Sequence, residues 1–141
     1  MFHFIVKHFG FLKAFPLLLH LLDSFLQIGL LVISPKLSNS FDELEAEVLT
    51  WEGTSISMHK YGGVQFNCEG KELGHLHSNG LLDVLFTRKI SRKLIAEGKA
   101  MQHHVFVNSG WISFYLTQPA DKEYALMLLK MSYLRLTQPL I

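Results

Sequence analysis

Histidines concentrate in the middle of the sequence, where several imidazoles could act together as bases or as metal ligands. Five of the eight histidines fall between residues 59 and 104, in segments with a strand-like pattern. Neutral imidazole is a general base near neutral pH and the commonest protein ligand for transition metals. These five are His59, His75, His77, His103 and His104. Their chemistry depends on which of them share one face of a sheet.

The segment GHLHSNGLLD contains two of these histidines and predicts a β-hairpin. His75 and His77 are two residues apart, so on a strand they point to the same face. With a two-residue turn at 79–80, both would face aliphatic partners. With a three-residue turn at 78–80, whose glycine is left-handed, His75 faces Asp83 instead. We favour the three-residue turn, because aliphatic partners would leave the imidazole nitrogens without hydrogen bonds.

In the favoured register, a histidine-bearing face of the sheet forms across the hairpin. Its members are Leu73, His75, His77, Leu81, Asp83 and Leu85. A histidine held by an aspartate has a fixed tautomer and raised basicity, which suits a general base or a metal ligand. Three interpretations follow: a structural pair, a catalytic or ligand-binding pair, and a metal site. The metal site is the least favoured, since the candidate ligands include no cysteine and no second defined cluster.

The neighbouring pair His103 and His104 adds one more imidazole to this face. On a strand, neighbours point to opposite faces, so we expect only one of the two to join His75. The candidate catalytic residues are His75, Asp83 and His104. The candidate ligand-binding residues are His59, His77, His103 and Trp111. Ser109 would form a Ser-His-Asp set with His104 and Asp83, but no nucleophile-elbow motif surrounds it, so a turn role is favoured.

Composition excludes several classes of function. The net charge is +1 and the basic residues are scattered, so the chain lacks the charge needed to hold a nucleic-acid backbone. Its single cysteine, Cys68, builds neither a disulfide framework nor a multi-cysteine zinc site. We therefore predict a reducing, cytoplasmic location, no nucleic-acid partner and no cofactor, with a bound metal as the minority interpretation.

Residues 1–40 form an apolar segment that we predict to be helical and to end in a loop at 35–40. Charged and polar residues interrupt it, so no uncharged run is long enough to span a bilayer, and an integral membrane anchor is not expected. Its polar residues share one helical stripe that we expect to face water: His20, Asp23, Ser24 and Gln27. The apolar remainder needs a cover, which is this chain's own sheet, a second copy or a membrane interface, in that order of preference.

Residues 41–141 have the pattern of one α+β domain. Ser40 is predicted to cap a short acidic helix, and four strands joined by glycine-containing turns follow from Thr54. A helix capped by Thr87, two strands (MQHHVFV and WISFYL) and a last helix near Pro119 complete the order. Strands and helices are segregated, which predicts one mostly antiparallel sheet of five to six strands with helices packed on one face.

The motifs along this domain resemble a known family. HKYGGVQF, ELGHLHSNGLLDVLF, RKLIAEGKAMQHHVF, NSGWISFYL and ALMLLKMSYLRL, between Trp51 and Leu136, are similar to a small family of bacterial and fungal proteins labelled "luciferase domain". The resemblance implies a shared fold and a shared histidine-containing surface, with no established reaction. Flavin-dependent luciferases are much longer TIM-barrel enzymes, and nothing here provides such a barrel.

A fainter similarity of layout links the strand meander and the S-G-W-I-S-F segment to MmcQ/YjbR-like domains. This likeness implies an α+β fold. Some of those relatives have been proposed to bind DNA, but the chain lacks a basic surface, so only the fold is carried over.

Taken together, the sequence predicts a small domain that binds a small ligand or a protein partner through its histidine-bearing face. Whether it is an enzyme stays open. One alternative is a hydrolase-type or metal-assisted enzyme that uses His75, His77, Asp83 and His104, whose side chains would then meet around an open cleft. Another is an interaction module in which the N-terminal helix forms a homodimer or attaches to a membrane surface.

Overall fold

The computed structural model describes residues 16–138 of the chain. The first fifteen residues of the predicted apolar segment lie outside this range. The helices are α1 (Pro16–Ile33), α2 (Pro35–Leu49), α3 (Arg88–Ala96) and α4 (Asp121–Thr137). The strands are β1 (Thr54–Met58), β2 (Val64–Cys68), β3 (Lys71–Leu76), β4 (Leu81–Leu85), β5 (Met101–Gln102) and β6 (Trp111–Tyr115).

The six strands form a single sheet in the order β1-β2-β3-β4-β6-β5, with every neighbouring pair antiparallel. The predicted α+β class is therefore confirmed. One face of the sheet packs against α2 and α4 in a continuous apolar core that includes Leu44, Val48, Leu82, Val84, Ile112, Leu128 and Leu129. Because side chains alternate along a strand, Asp83 and Ser113, which lie between these core positions, point to the opposite face.

The turn between β3 and β4 is the three-residue loop that the sequence predicted. His75 lies opposite Asp83 in the ladder, and the His77 N–H donates to the Leu81 carbonyl at 2.9 Å. Gly80 closes the loop with φ +85°, a conformation that side chains other than glycine rarely adopt. The imidazole of His75 is consequently set against a carboxylate and not against an aliphatic side chain.

A β-bulge in β3 changes which residues share the histidine-bearing face. Phe66 of β2 pairs with Gly74, but the next residue, Asn67, pairs with Glu72, so Leu73 is an extra residue. Leu73 is buried in the apolar core, and its predicted place on the histidine-bearing face was wrong. Glu72 takes that place instead.

The predicted loop at 35–40 is also wrong, because these residues form the first part of α2. Pro35 occupies the first helical position, where its missing N–H costs nothing. Ser40 is therefore inside the helix, where its hydroxyl donates to the Lys36 carbonyl at 2.9 Å, and it does not cap the helix. The buried side chains Leu37 and Phe41 extend the apolar stripe back into this segment and hold it against the core.

The strand predicted for MQHHVFV ends after two residues, so His103 and His104 are not strand neighbours. The chain turns at His103, whose Nδ1 accepts the backbone N–H groups of Val105 and Phe106 at 3.1 and 3.0 Å. Since the alternation of a strand no longer applies, the expectation that only one of the two histidines joins the histidine-bearing face was wrong.

Helix α1 contacts α2 but leaves much of its apolar surface exposed. The exposed large apolar side chains of α1 are Leu17, Leu18, Leu21, Phe25, Ile28, Leu31, Val32 and Ile33. The predicted water-facing stripe was partly wrong, since the Asp23 carboxylate turns towards the protein and accepts the Gly63 N–H at 2.8 Å. Within residues 16–138 no single helix has the length and hydropathy of a membrane span, and only the pair Leu17–Ile33 and Pro35–Leu49, bent by 120°, meets that test jointly.

Candidate histidine and carboxylate site

Asp83 lies at the centre of a cluster of imidazoles. Its side chain is fully buried, and its Oδ1 accepts a hydrogen bond from the Ser113 hydroxyl on the neighbouring strand. Its Oδ2 lies 3.4 Å from His75 Nε2, 3.4 Å from His103 Nε2 and 3.9 Å from His77 Nε2. Among the described residues, Oδ2 has no hydrogen-bond partner of good geometry. Three imidazole nitrogens therefore converge on one buried carboxylate oxygen.

His75 is held between two carboxylates. Its Nδ1 lies 2.6 Å from Glu72 Oε1, and its Nε2 faces Asp83. Burial lowers the pKa of His75, but the contacts with Asp83 and Glu72 outweigh burial and leave the pKa raised. The short contact to Glu72 assigns the Nδ1 proton of His75 to that bond, so the Nε2 atom is the one that points into the cluster.

His59 and His77 extend the cluster on the other side of His75. The His59 ring stacks on that of His75 with centroids 3.8 Å apart and planes 10° apart, and the His77 ring stands edge-on to both. Burial, followed by the charge of His75, lowers the pKa of His59 and that of His77 to about 4. Both imidazoles are therefore neutral at physiological pH. Among the described residues, the buried His59 Nδ1 has no hydrogen-bond partner.

His103 approaches Asp83 as a different tautomer from His75. Because its Nδ1 accepts two backbone N–H groups, the proton of the neutral ring is on Nε2, which faces Asp83. His104 stacks on His103 with centroids 4.6 Å apart. Burial raises the pKa of Asp83, but contacts with His103, His75 and Ser113 outweigh it and lower the pKa well below its usual range.

The structure brings all seven predicted site residues together. The ligand atoms of His59, His75 and His77 lie within 4.8 Å of one another, and so do those of Asp83, His103 and His104. Trp111 forms one wall, with its ring centroid 5.4 Å from that of His75 and 5.9 Å from that of His103. Ser109 donates to the Phe106 carbonyl and accepts the Trp111 N–H, which is an ordinary turn role.

Two residues of the cluster were missed by the sequence analysis, namely Glu72 and Ser113. In a regular strand Glu72 and His75 would point to opposite faces, so only the bulge could reveal the contact. Ser113 could have been found, because the alternation of WISFY places it opposite Asp83 once β4 and β6 are paired. The sequence did not show that these two strands are neighbours.

Burial bears on the chemistry that the cluster supports. His59, His75, His77, Asp83 and His103 are each at most 7% exposed. A groove of ≈480 Å³ between α1, α2 and the sheet includes His77 in its wall but neither His75 nor Asp83. The open cleft that acid-base chemistry on a substrate requires is not found around His75 and Asp83 in the described part of the chain. A buried cluster of this kind suits a small ligand held from all sides.

These observations define the class: a small α+β protein with a buried histidine and carboxylate cluster on the sheet face opposite the main helices. The family model described as Luciferase domain matches residues 70–132, and this is the family that the motifs resemble. The match includes every cluster residue except His59. No curated protein and no solved structure matches the chain at a significant level. The resemblance to MmcQ/YjbR-like domains stays a prediction.

Proposed function

We propose that the protein binds a divalent transition-metal ion between the imidazoles of His59, His75 and His77 and the Asp83 carboxylate. The observation that carries this proposal is the 3.4 Å distance between His75 Nε2 and Asp83 Oδ2. It is longer than an N–H···O hydrogen bond of about 2.7–3.2 Å. Two ligands about 2.0–2.1 Å from a tetrahedral zinc ion lie about 3.3 Å apart. The spacing thus suits two ligands of one ion, in contrast to the expectation of no cofactor.

The protonation of the cluster supports the same proposal. A metal needs deprotonated ligands, and the low pKa values of His59 and His77 supply neutral imidazoles at physiological pH. The bond from His75 Nδ1 to Glu72 is the carboxylate contact that orients metal-bound histidines and raises their basicity. A divalent ion would also supply positive charge beside Asp83, one of the two carboxylates that raise the pKa of His75.

His103 is excluded from this ligand set by its hydrogen bonds. Its Nδ1 is occupied by two N–H donors, so its Nε2 carries the proton of the neutral ring and turns an N–H, not a lone pair, towards Asp83 Oδ2 at 3.4 Å. In this proposal His103 and the Ser113 hydroxyl orient the Asp83 carboxylate, while the ion binds on the side of His75 and His77. The predicted ligand role of His103 thereby becomes an indirect one.

The donor set limits the identity of the ion. Imidazole with one carboxylate suits Zn²⁺, Co²⁺, Ni²⁺ or Cu²⁺, whereas Mg²⁺ and Ca²⁺ prefer oxygen ligands. The stacked rings of His59 and His75 hold their nitrogen lone pairs in two nearly parallel planes, so binding of one ion to both requires the His59 ring to tilt out of the stack. His59 lies directly after β1, at the start of a turn, so the tilt is made by a residue outside the strands.

The experiment that tests the proposal is a Co²⁺ titration of chelator-treated protein, followed by displacement with Zn²⁺. We expect one ion per chain and the intense visible bands of tetrahedral Co²⁺. His75→Ala should abolish these bands, and His20→Ala on α1 should leave them unchanged. Wild-type protein that retains no Co²⁺ at micromolar concentrations, or His75→Ala that still gives the same bands, would contradict the proposal.

We propose a second function, in which the exposed apolar face of α1 attaches the protein to a lipid surface. Seven of the eight exposed apolar side chains lie within an arc of about 140°, since successive helical residues are about 100° apart. That arc is wider than the two-position seam of a helix pair, and it suits a bilayer interface. Polar groups on this side are satisfied locally, because the Ser24 hydroxyl donates to the His20 carbonyl at 2.9 Å.

A further inference from the structure

Asp23 connects helix α1 to both of the turns that border the histidine cluster. It is the only Asp, Glu, Lys or Arg residue of α1. Its Oδ2 accepts the Gly63 N–H at 2.8 Å in the turn between β1 and β2, and its Oδ1 accepts the Ser78 hydroxyl in the turn between β3 and β4. The Gln27 amide donates to Asp23 Oδ2 at 3.3 Å from one helical turn away. One carboxylate therefore spans two turns that are distant in sequence.

Each of these turns begins at a residue of the proposed ligand set. His59 begins the first, with its N–H donating to the Gly63 carbonyl and its carbonyl accepting the Gly62 N–H, both at 3.0 Å. His77 begins the second, and Ser78 follows it directly. Asp23 accepts the N–H of Gly63, which closes the first turn, and the hydroxyl of Ser78, which follows His77 in the second turn. One side chain of α1 therefore bridges the two turns that begin at His59 and His77.

The fit around Asp23 is close. A Cβ added to Gly62, which has φ +90°, would lie 2.8 Å from the Asp23 Cβ. The cavity between α1 and the two turns is ≈20 Å³, with Asp23, Tyr61 and His77 in its wall. This volume accepts about one water molecule, so the helix packs closely against the two turns.

We propose that Asp23 is a positioning residue for the metal centre, holding the two turns at the separation at which His59 and His77 share one ion. The inference rests on the proposed function and deepens it, since it makes docking of α1 a condition of tight metal binding. By linkage, the bound ion stabilises the docked helix to the same extent. Asp23 does not touch the ion; it acts through the backbone at Gly63 and through Ser78.

The test compares Co²⁺ affinity in three variants of this helix. Asp23→Ala should weaken binding about 10-fold or more, the size of effect seen when an outer-shell partner of a metal ligand is removed. Asp23→Asn keeps one acceptor oxygen and should fall between Asp23→Ala and wild type. Ser24→Ala is the matched control, because its exposed hydroxyl bonds only within α1, and its affinity should stay within about twofold of wild type.

Amide hydrogen exchange in the presence of chelator gives a readout that needs no metal. Asp23→Ala should accelerate exchange at residues 60–63 and 78–80 together, while β4 and β6 keep their protection. Zinc should slow exchange in α1 of wild type and should slow it less in Asp23→Ala.

The outcomes separate the two proposals. If wild type binds Co²⁺ and Asp23→Ala binds it equally well, the positioning role is overturned while the metal site stands. If exchange in the two turns is unchanged by Asp23→Ala, the role is overturned whether or not metal binds. Wild type that binds no Co²⁺ overturns the proposed function itself, and the role of Asp23 at a metal centre falls with it.

Discussion

Glu72 Oε1 lies 2.6 Å from His75 Nδ1, although the two residues are three apart in one strand. In a regular strand they would point to opposite faces. The bulge at Leu73 places both on the histidine-bearing face and buries the leucine in the core on the other side. A local irregularity of the backbone thereby gives His75 the carboxylate partner that fixes its tautomer.

Glu72→Gln should weaken metal binding about 10-fold, because a neutral amide orients the imidazole less strongly and does not raise its basicity. The measurement is a Co²⁺ titration at neutral pH against wild type. Glu52→Gln is the control, since Glu52 is exposed, and it should bind as wild type does. An affinity for Glu72→Gln equal to that of the control would show that the 2.6 Å contact serves the fold alone.

His77→Ala and His103→Ala should differ in their effect on metal binding. His77→Ala removes a proposed ligand and should abolish the tetrahedral Co²⁺ spectrum. His103→Ala removes only an N–H that faces Asp83 and should weaken binding about 10- to 100-fold while the form of the spectrum is kept. Equal loss of the spectrum in both variants would place His103 in the ligand set and would contradict the tautomer argument.

Glu45→Gln should stabilise the protein at neutral pH and not in acid. Burial, with the charge of Asp42 second, raises the pKa of Glu45, so the folded state disfavours its ionised form. This cost is absent below the pKa of the unfolded state and grows as pH rises through the raised pKa of the folded state. Urea unfolding at pH 7 and pH 3.5 should show a higher midpoint for the variant only at pH 7. A gain of equal size at both pH values would assign the effect to packing.

The exposed apolar face of α1 should bring the protein to lipid. In a flotation assay with phosphatidylcholine vesicles, wild type should rise with the vesicles, and the variant Phe25→Ser with Val32→Ser should stay in the soluble fraction. Both side chains are more than 70% exposed, so the double substitution should leave folding intact. If wild type stays in the soluble fraction and is a dimer by light scattering, a second copy of the chain, and not lipid, covers the apolar face of α1.

The sequence by itself determined the elements with local chemical signals. The three-residue turn SNG was favoured because the other register leaves the imidazole nitrogens against aliphatic partners, and this turn, closed by the left-handed Gly80, sets His75 opposite Asp83. Thr87 was recognised as a helix cap because a threonine hydroxyl can accept a free N–H of the first helical turn, and its side chain accepts the Ile90 N–H. The segregation of strands from helices gave the α+β class.

Only the tertiary structure decided which distant groups meet. The bulge that turns Glu72 towards His75, the turn that aims both His103 and His104 at Asp83, and the reach of Asp23 to Gly63 and Ser78 have no local signal. Each arises because the sheet and α1 bring together backbone segments far apart in sequence. Turn residues act over a few positions, whereas the pairing of buried polar groups depends on the packing of the whole chain.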